Sequence, residues 1–266
     1  MLQRKNPNEG EKKYTFDDVV EILEVLRGEN GCPWDKAQTH ESIRGNAVEE
    51  AYELADAIDE GEPGHITEEV GDLLLQCVFH TEIAKSNGEF GYDDVFSFLC
   101  NKLISRHTHI FSTDKAADAE QALDTWEKNK KVKYGVSTTT EYMKKIPKTM
   151  PALTYGEKIQ KRAAKVGFDW PEIGPVYQKI SEELEEVKAA APDKKEEELG
   201  DLLFAVVNLC RFMNADPEIA LNRANNKFLR RFEFIEIKLA EKGKTCLDSD
   251  LAEMDKLWEE SKEQGL

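Results

Sequence analysis

Four short motifs constrain the fold of this chain most strongly, because the same four occur in the same order in both halves. A glutamate-rich block precedes a Glu-Glu-x-Gly-Asp-Leu-Leu block, an Asn-Lys pair with a later arginine, and a Trp-Glu pair with a later lysine. The copies lie about 130 residues apart, which is longer than the period of a solenoid repeat. The sequence therefore predicts two copies of one domain.

Apolar residues recur at helical spacing along most of the chain, and there is no convincing run of period-two alternation. The spacing of Val19, Leu23 and Leu26 marks a first helix, with Thr15 as its N-cap. Further helices are predicted over residues 47–58, 66–84, from near 93, and over 173–190, 193–214, 217–241 and 250–263. The predicted fold class is all-α.

Local signals suggest where helices and domains begin. Asp193 and Glu196 have capping-box spacing, and Asp216 precedes a proline at the first position of a helix. Residues 135–151 are rich in Thr, Lys and Pro and are predicted to be a linker. The expected domains are a helical repeat over 1–134, this linker, and a second helical repeat over 152–266.

Composition and charge exclude several classes of function. The 36 Lys and Arg against 53 Asp and Glu give a net charge of −17, so neither nucleic acid nor an anionic membrane is an expected partner. The apolar stretch 73–79 is too short to span a bilayer, and the first ten residues lack the apolar core of a secretion signal. Five cysteines without CxxC spacing favour the reducing cytoplasm.

Each half carries an ExxE pair on one predicted helix and an ExxD pair on the next. Residues three apart share a helix face, so antiparallel packing of the two helices would bring four carboxylates together. Such a cluster calls for a hard cation such as Mg²⁺, Mn²⁺ or Ca²⁺. The alternative is a pair of solvated acidic faces. The candidate ligands are Glu50, Glu53, Glu69 and Asp72 in the first half, and Glu183, Glu186, Glu198 and Asp201 in the second.

Basic and aromatic residues accompany the second carboxylate set. Lys179 stands one turn before Glu183, and Lys194 precedes the ExxD pair. In so acidic a chain, these groups suggest a polyphosphate substrate bridged by a metal, although each could simply pair with a surface glutamate. Trp126 and Trp258 could stack on a base or pack between helices.

Residues 31–36 (GCPWDK), the tandem carboxylate blocks and residues 166–170 (VGFDW) together resemble the MazG family of nucleoside triphosphate pyrophosphohydrolases, over nearly the whole chain. The resemblance implies an all-α homodimer that hydrolyses a nucleoside triphosphate to the monophosphate and pyrophosphate. It implies Mg²⁺ as the cofactor, with Mn²⁺ as an alternative, and the carboxy-terminal repeat as the principal catalytic one.

The resemblance also implies roles for particular residues. The second carboxylate set would hold the metal. For the reaction so implied, a nearby carboxylate could take the proton from the attacking water; Glu182 and Glu197 are the candidates, and the sequence does not decide between them. Substrate contacts would fall on Lys179, Ile180, Ser181, Glu182, Glu183, Lys194, Lys195, Glu196, Glu197, Asp201, Lys227, Phe228, Leu229, Arg230, Arg231 and Trp258.

The two repeats are not equivalent. Where the second has Lys194, the first has His65 in an expected Pro-Gly turn, and an unperturbed histidine is mostly neutral at pH 7. The stretch from ExxE to ExxD is also longer in the first repeat, 16 residues against 12. We expect the second repeat to carry most of the turnover; the alternative is that both sites work.

Two other functions remain open. One is a helical regulatory or scaffold protein that binds a nucleotide without turnover. The other is a narrower dNTP pyrophosphatase or a phosphoribosyl-ATP pyrophosphohydrolase. Complete carboxylate sets in both halves favour an enzyme over a scaffold, and the tandem architecture, through the resemblance, disfavours the narrower enzymes.

Overall fold

The computed structural model describes residues 13–266, and every regular element in that range is helical. The all-α prediction is therefore confirmed. The expectation about a secretion signal concerns the first ten residues, which lie outside the described part. Between residues 13 and 266, no helix is long and apolar enough to cross a membrane.

The chain divides into two units between Asn129 and Lys130. Within residues 13–129, the first unit holds six helices and most of a seventh, α7, which crosses the division. Their bounds are α1 Phe16–Arg27, α2 Pro33–Ala37, α3 Asn46–Glu60, α4 Pro63–Asn87, α5 Tyr92–Arg106, α6 Thr108–Phe111 and α7 Ala119–Tyr134.

The second unit continues with six α-helices and a short 3-10 helix, Cys246–Asp248. The α-helices are α8 Thr139–Met143, α9 Ala152–Ala164, α10 Gly174–Ala189, α11 Lys195–Phe212, α12 Pro217–Ala240 and α13 Leu251–Glu263. Two parts of this unit pack extensively: α10 against α11, and α12 against α13. The second pair buries Ile235, Leu239 and Leu257 together.

The main feature shared by the two units is a helical hairpin with a third helix packed on it. In the first unit, α3 and α4 form the hairpin, and α1 packs on α4; in the second, α10 and α11 form it, and α9 packs on α11. In the first unit α1 contributes Leu23 to a core with Val78, Phe79 and Ile83. The paired helices that carry the carboxylates are therefore supported by the same arrangement in both units.

The arms of the first hairpin are longer, which accounts for the unequal spacing of the carboxylate pairs. Helix α3 continues for about two turns past its ExxE pair, and α4 begins about two turns before its ExxD pair. In the second hairpin each of these extensions is about one turn. Gly61 closes α3 in the left-handed conformation, at φ 77°, so the first connection is a tight turn.

The structure confirms two predicted helix starts and corrects two others. Thr15 caps α1 in a capping box, and the Asp216 side chain accepts hydrogen bonds from the first turn of α12. The Asp193 capping box is wrong, because Lys194 donates to the Ala191 carbonyl in a turn and the helix begins only after it. His65 lies in the first turn of α4 rather than in a Pro-Gly turn, since a proline at N1 suits a helix start.

Residues 135–151, the expected linker, belong to the second unit and carry part of its core. Helix α8 packs on α9. Tyr142 and Ile146 are buried, and Arg162 of α9 both donates to the Tyr142 carbonyl and stacks on its ring, 3.7 Å from the centroid. The segment is therefore folded against α9 through α8 and the buried Tyr142.

Replacing Tyr142 by alanine is expected to destabilise the second unit by about 3–5 kcal/mol, the usual cost of removing a buried aromatic side chain. Calorimetric unfolding should show a lower transition temperature for this unit. Thr149→Ala, at an exposed position of the same segment, is the matched control. Equal effects of the two variants would show that the segment is a linker after all.

Candidate active site

The second hairpin brings three carboxylates together. Glu183 and Glu186 on α10 and Glu198 on α11 each offer an oxygen within 4.8 Å of the other two. The fourth predicted ligand, Asp201, lies one turn beyond Glu198 and lines a cavity together with Glu183. The convergence predicted from antiparallel packing is confirmed for three of the four groups, while their role as metal ligands stays a prediction.

Glu183 is the most constrained of these groups, with only 5% of its surface exposed. One carboxylate oxygen accepts from the Lys179 ammonium at 2.5 Å, and the other is buried without a hydrogen-bond partner. The contact with Glu183 raises the pKa of Glu186, because two carboxylates this close resist ionising together. Since a buried oxygen without a partner is costly, the cluster fits a hard cation.

The first hairpin holds a similar set, formed by Glu50, Glu69 and Asp72 within 4.8 Å of one another. Glu53 is exposed beside them. The Gln76 amide donates to Glu50 at 3.1 Å, and burial raises the pKa of Glu50. One oxygen of Glu69 is buried without a partner, as in Glu183. This set therefore also fits a cation, but one of its carboxylates is already hydrogen-bonded to an amide.

The sequence predicts a charge difference between His65 and Lys194 on the assumption that His65 has an ordinary pKa, and this assumption is wrong. His65 is not unperturbed: its hydrogen bond to Glu60, at 2.7 Å, raises its pKa, and its other nitrogen lies 3.1 Å from Glu69. Lys194 is itself paired, with Glu197 at 2.7 Å. The two positions therefore differ less in charge than their residue types suggest.

A cavity of about 750 Å³ adjoins the carboxylates of the second unit. It lies among α9, α10, α11 and the segment 165–173 that joins the first two. Three of the predicted site residues line it, together with three aromatic side chains: Lys179, Glu183, Asp201, Phe168, Trp170 and Phe204. This combination of charged and aromatic groups can accommodate a ligand with one ionic and one flat apolar part.

The remaining predicted residues of α10 and of the hairpin connection lie outside the cavity lining. Ser181 donates to the Tyr177 carbonyl, and Ile180 is half-buried. Both candidate proton acceptors are exposed and paired with lysine, Glu182 with Lys179 at 2.9 Å and Glu197 with Lys194. Lys195 and Glu196, in the first turn of α11, are exposed.

The predicted contacts on α12 and α13 form a separate cluster. The rings of Phe228 and Trp258 lie 5.2 Å apart, and the Arg231 guanidinium stacks on Trp258 at 5.4 Å and donates to the Leu266 carbonyl. Lys227, Leu229 and Arg230 are exposed on the same helix. No described residue of α12 or α13 lines the cavity, so the structure groups these residues with one another rather than with Glu183.

Comparison with known proteins follows the division of the chain. The MazG nucleotide pyrophosphohydrolase domain matches residues 38–111 and 176–234. A nucleoside triphosphate pyrophosphohydrolase/pyrophosphatase MazG of Thermotoga maritima is 43% identical over 248 residues, which cover 93% of this chain and 95% of the relative. The chain belongs to the MazG family. Each matched segment contains one complete carboxylate set, so both halves carry the MazG pattern.

Two further MazG relatives differ in length. A nucleoside triphosphate pyrophosphohydrolase of Escherichia coli strain K12 is 41% identical over 258 residues, covering 94% of this chain and 98% of the relative. The uncharacterized protein YabN of Bacillus subtilis is 43% identical over 255 residues, but these are only 52% of its length. This chain thus matches nearly the whole length of two of these relatives and about half of a longer one.

Four polar residues around the cavity have no role in the sequence predictions. Gln160 of α9 and Asn208 of α11 are buried, and Arg211 makes a bidentate ion pair with Asp169. The motif 166–170 carried the resemblance to the MazG family but suggested no contact. The available signal was the amphipathic spacing of residues 152–164, which form α9. This helix was absent from the predicted helices.

Proposed function

We propose that this chain is a Mg²⁺-dependent nucleoside triphosphate pyrophosphohydrolase whose principal active site lies in the second repeat. It would cleave ribo- or deoxyribonucleoside triphosphates between the α and β phosphates, releasing a nucleoside monophosphate and pyrophosphate. The observation that carries the proposal is the buried, unpartnered oxygen of Glu183, set among converging carboxylates beside a cavity. Membership of the MazG family supports the reaction type.

The oxygen donors of Glu183, Glu186, Glu198 and Asp201 fit Mg²⁺, with Mn²⁺ as an alternative of similar ligand preference. When bound there, the ion would neutralise phosphate charge and acidify a coordinated water. These carboxylates repel one another in its absence, as the raised pKa of Glu186 indicates. The same chemistry applies to the first repeat, where Glu50, Glu53, Glu69 and Asp72 are the proposed ligands.

The lysines of the second repeat would bind the phosphates of the substrate. Lys179 neutralises Glu183 in this structure and lies within the cavity lining, so its ammonium can turn to a phosphate oxygen once a cation replaces it. Of the two candidate proton acceptors, Glu197 has its pKa lowered by the hydrogen bond from Lys194. A lowered pKa makes a weaker base. We favour Glu182 for this role because it shares Lys179 with Glu183 and that lysine lines the cavity.

The reaction is tested by incubating the chain with Mg²⁺ and each common nucleoside triphosphate, and separating the products. We expect monophosphate and pyrophosphate. Release of diphosphate and phosphate would exclude cleavage between the α and β phosphates. Binding without turnover of any nucleotide would support the scaffold alternative, and turnover confined to deoxyribonucleotides or phosphoribosyl-ATP would support a narrower enzyme.

We also propose a cytoplasmic location, which the five free cysteines support.

The hairpin helices of the second unit leave many apolar side chains exposed, which supports the proposal of a homodimer. These include Leu184 on α10 and Leu199, Leu203 and Val206 on α11, all at least 40% exposed. An apolar face of this kind on the helices that carry the proposed ligands is typical of a subunit interface. A second copy of the chain would cover it.

We therefore expect multi-angle light scattering to give about twice the 30.3 kDa mass of the chain at micromolar concentration. Leu203→Glu should shift the protein toward the monomer, because a charge on a buried interface is costly. Glu185→Gln, at an exposed polar position of the same hairpin, is the control. A monomer mass for the unaltered chain would refute the dimer.

A further inference from the structure

Two histidine side chains of the first unit, His40 and His80, meet nitrogen to nitrogen. Their Nδ1 atoms lie 2.8 Å apart, the ring planes are within 7° of parallel, and the ring centroids are 5.1 Å apart. The centroid distance exceeds the nitrogen distance by about two ring radii, so the rings share one plane and the nitrogens point directly at each other. A zinc–nitrogen bond alone is about 2.0–2.1 Å long, so a metal ion does not fit between them, whereas a proton does.

His40 reaches α4 from the segment 38–45, which joins α2 to α3. This segment has a defined shape, because the Thr39 amide donates to the Ser42 hydroxyl at 2.9 Å and the Ser42 amide donates back to the Thr39 hydroxyl at 3.3 Å. Ile43, which is 2% exposed, belongs to the core that the segment shares with α1 and α4. The imidazole pair is therefore a polar contact that accompanies an apolar one between this segment and α4.

The number of protons on the pair decides whether this polar contact holds. When both rings are neutral, one Nδ1–H group donates to the other Nδ1 atom. One additional proton preserves a donor and an acceptor, since an imidazolium can donate to a neutral imidazole, and such a charge-assisted hydrogen bond is stronger. A second additional proton places an N–H group on both nitrogens, so two like charges face each other and the hydrogen bond is lost.

The surroundings of the pair disfavour this doubly protonated state. Burial, followed by the charge of His40, lowers the pKa of His80. The charged groups around the pair are Glu89 after α4, Glu41 and Arg44 on the segment 38–45, and Arg27 of α1. Glu89 lies 3.7 Å from His40 but is half-exposed, so solvent screens it. Because the pKa of His80 is lowered, the contact stabilises the folded chain above the ordinary histidine pKa, and this stabilisation is lost as the pH falls.

The second hairpin is built without such a pair. Counted from the aspartate of each ExxD pair, the position of His80 corresponds to Leu209 on α11. An aliphatic side chain therefore suits this position of the hairpin, and packing alone does not require the imidazole. All the histidines of the chain lie in its first half, at positions 40, 65, 80, 107 and 109. Only the first unit can thus respond to pH through a histidine.

We propose that the imidazole pair is a proton-operated latch of the first unit. Near neutral pH the hydrogen bond between His40 and His80 holds the segment 38–45 on α4. When both rings are protonated, the latch opens and the segment loosens. The Ala47 amide donates to the Ile43 carbonyl at 3.4 Å, so the segment continues into the first turn of α3. Opening of the latch therefore also loosens the start of the helix that carries Glu50.

Amide hydrogen exchange of the full chain, followed by mass spectrometry at about pH 7.5 and about pH 5, tests the latch across the range in which histidine titrates. After correction for the pH dependence of intrinsic exchange, we expect protection over residues 38–45 to fall by about tenfold at the lower pH, and protection of α12 and α13 to change little. His80→Leu should abolish this pH dependence, whereas His107→Gln, elsewhere in the first unit, should keep it. An unchanged protection in the unaltered chain, or an equal fall in His80→Leu, would overturn the proposal.

The imidazole ¹⁵N resonances of the unaltered chain give a second test, which does not depend on the folding of any variant. Two rings that share one proton titrate as a pair, so we expect two separated steps in the resonances of both His40 and His80. The second step should coincide with the loss of protection over residues 38–45. A single step for each ring, independent of the other, would contradict the shared proton and overturn the latch.

Discussion

Replacing both Glu183 and Glu186 by glutamine is expected to lower kcat/KM for nucleoside triphosphate hydrolysis by about a hundredfold to ten-thousandfold, since metal catalysis supplies several kcal/mol. The same change at Glu50 and Glu53 is expected to leave kcat/KM within about threefold. Glutamine keeps the shape of the side chain but removes the charge that a cation needs. Both pairs are measured with the same substrate, and circular dichroism checks the helical fold.

The structural reason for the difference lies around the two clusters. In the first unit the Gln76 amide already donates a hydrogen bond to the Glu50 carboxylate, and the Trp34 ring packs edge-on against Phe79. The positions that correspond to Gln76 and Phe79, counted from the ExxD aspartates, are Ala205 and Asn208, and both line the cavity. Loss of activity only when Glu50 and Glu53 are replaced would reverse the assignment. Equal losses in both would mean that both repeats turn over substrate.

Mg²⁺ at a hundredfold excess over its dissociation constant is expected to stabilise the second unit by about 2.7 kcal/mol, which raises its thermal midpoint by roughly 5–10 °C. In Glu183→Gln this shift should disappear. The metal-free variant should keep most of its stability, because relief of the repulsion with Glu186 offsets the loss of the ion pair with Lys179. Asp201→Asn should likewise lose activity while keeping its fold.

Glu185→Gln provides the matched control for the stability measurement. Glu185 lies on the same helix but is exposed and paired with Lys188 at 2.7 Å, so its variant should keep the full Mg²⁺ response. Scanning calorimetry with and without Mg²⁺ reports both effects. If Mg²⁺ raises the thermal midpoint of Glu183→Gln as much as that of the unaltered chain, the cation binds elsewhere. Full enzymatic activity in that variant would count against the proposed ligand set.

Most long helices could be predicted from the sequence because their signals are local. Apolar spacing and caps such as Thr15 and Asp216 depend only on residues within one or two turns. The capping box at Asp193 failed because capping depends on backbone conformation, and the chain makes a turn there. The short helices α2, α6 and α8 are too brief to show a periodic pattern.

The carboxylate cluster was accessible to sequence analysis because its members repeat at helical spacing. The cavity was not, because its contacts join residues that are remote in sequence. Asp169 meets Arg211 across 42 positions, and Gln160 meets the Phe204 carbonyl across 44. Neither pair follows a period, and each residue type is common on helix surfaces. Only the packing of α9 on α11 shows that these polar groups share one lining.

The unequal arms of the two hairpins show that the hairpin helices can differ in length while the carboxylates keep the same arrangement. Each arm of the first hairpin is about one turn longer beyond the carboxylates than its counterpart in the second, so the facing side chains keep the same phase in both. The tip at Gly61 and Glu62 is thus separated from the cluster by about two helical turns. A peptide tag or fluorescent reporter can be grafted at this tip, leaving the carboxylates in register.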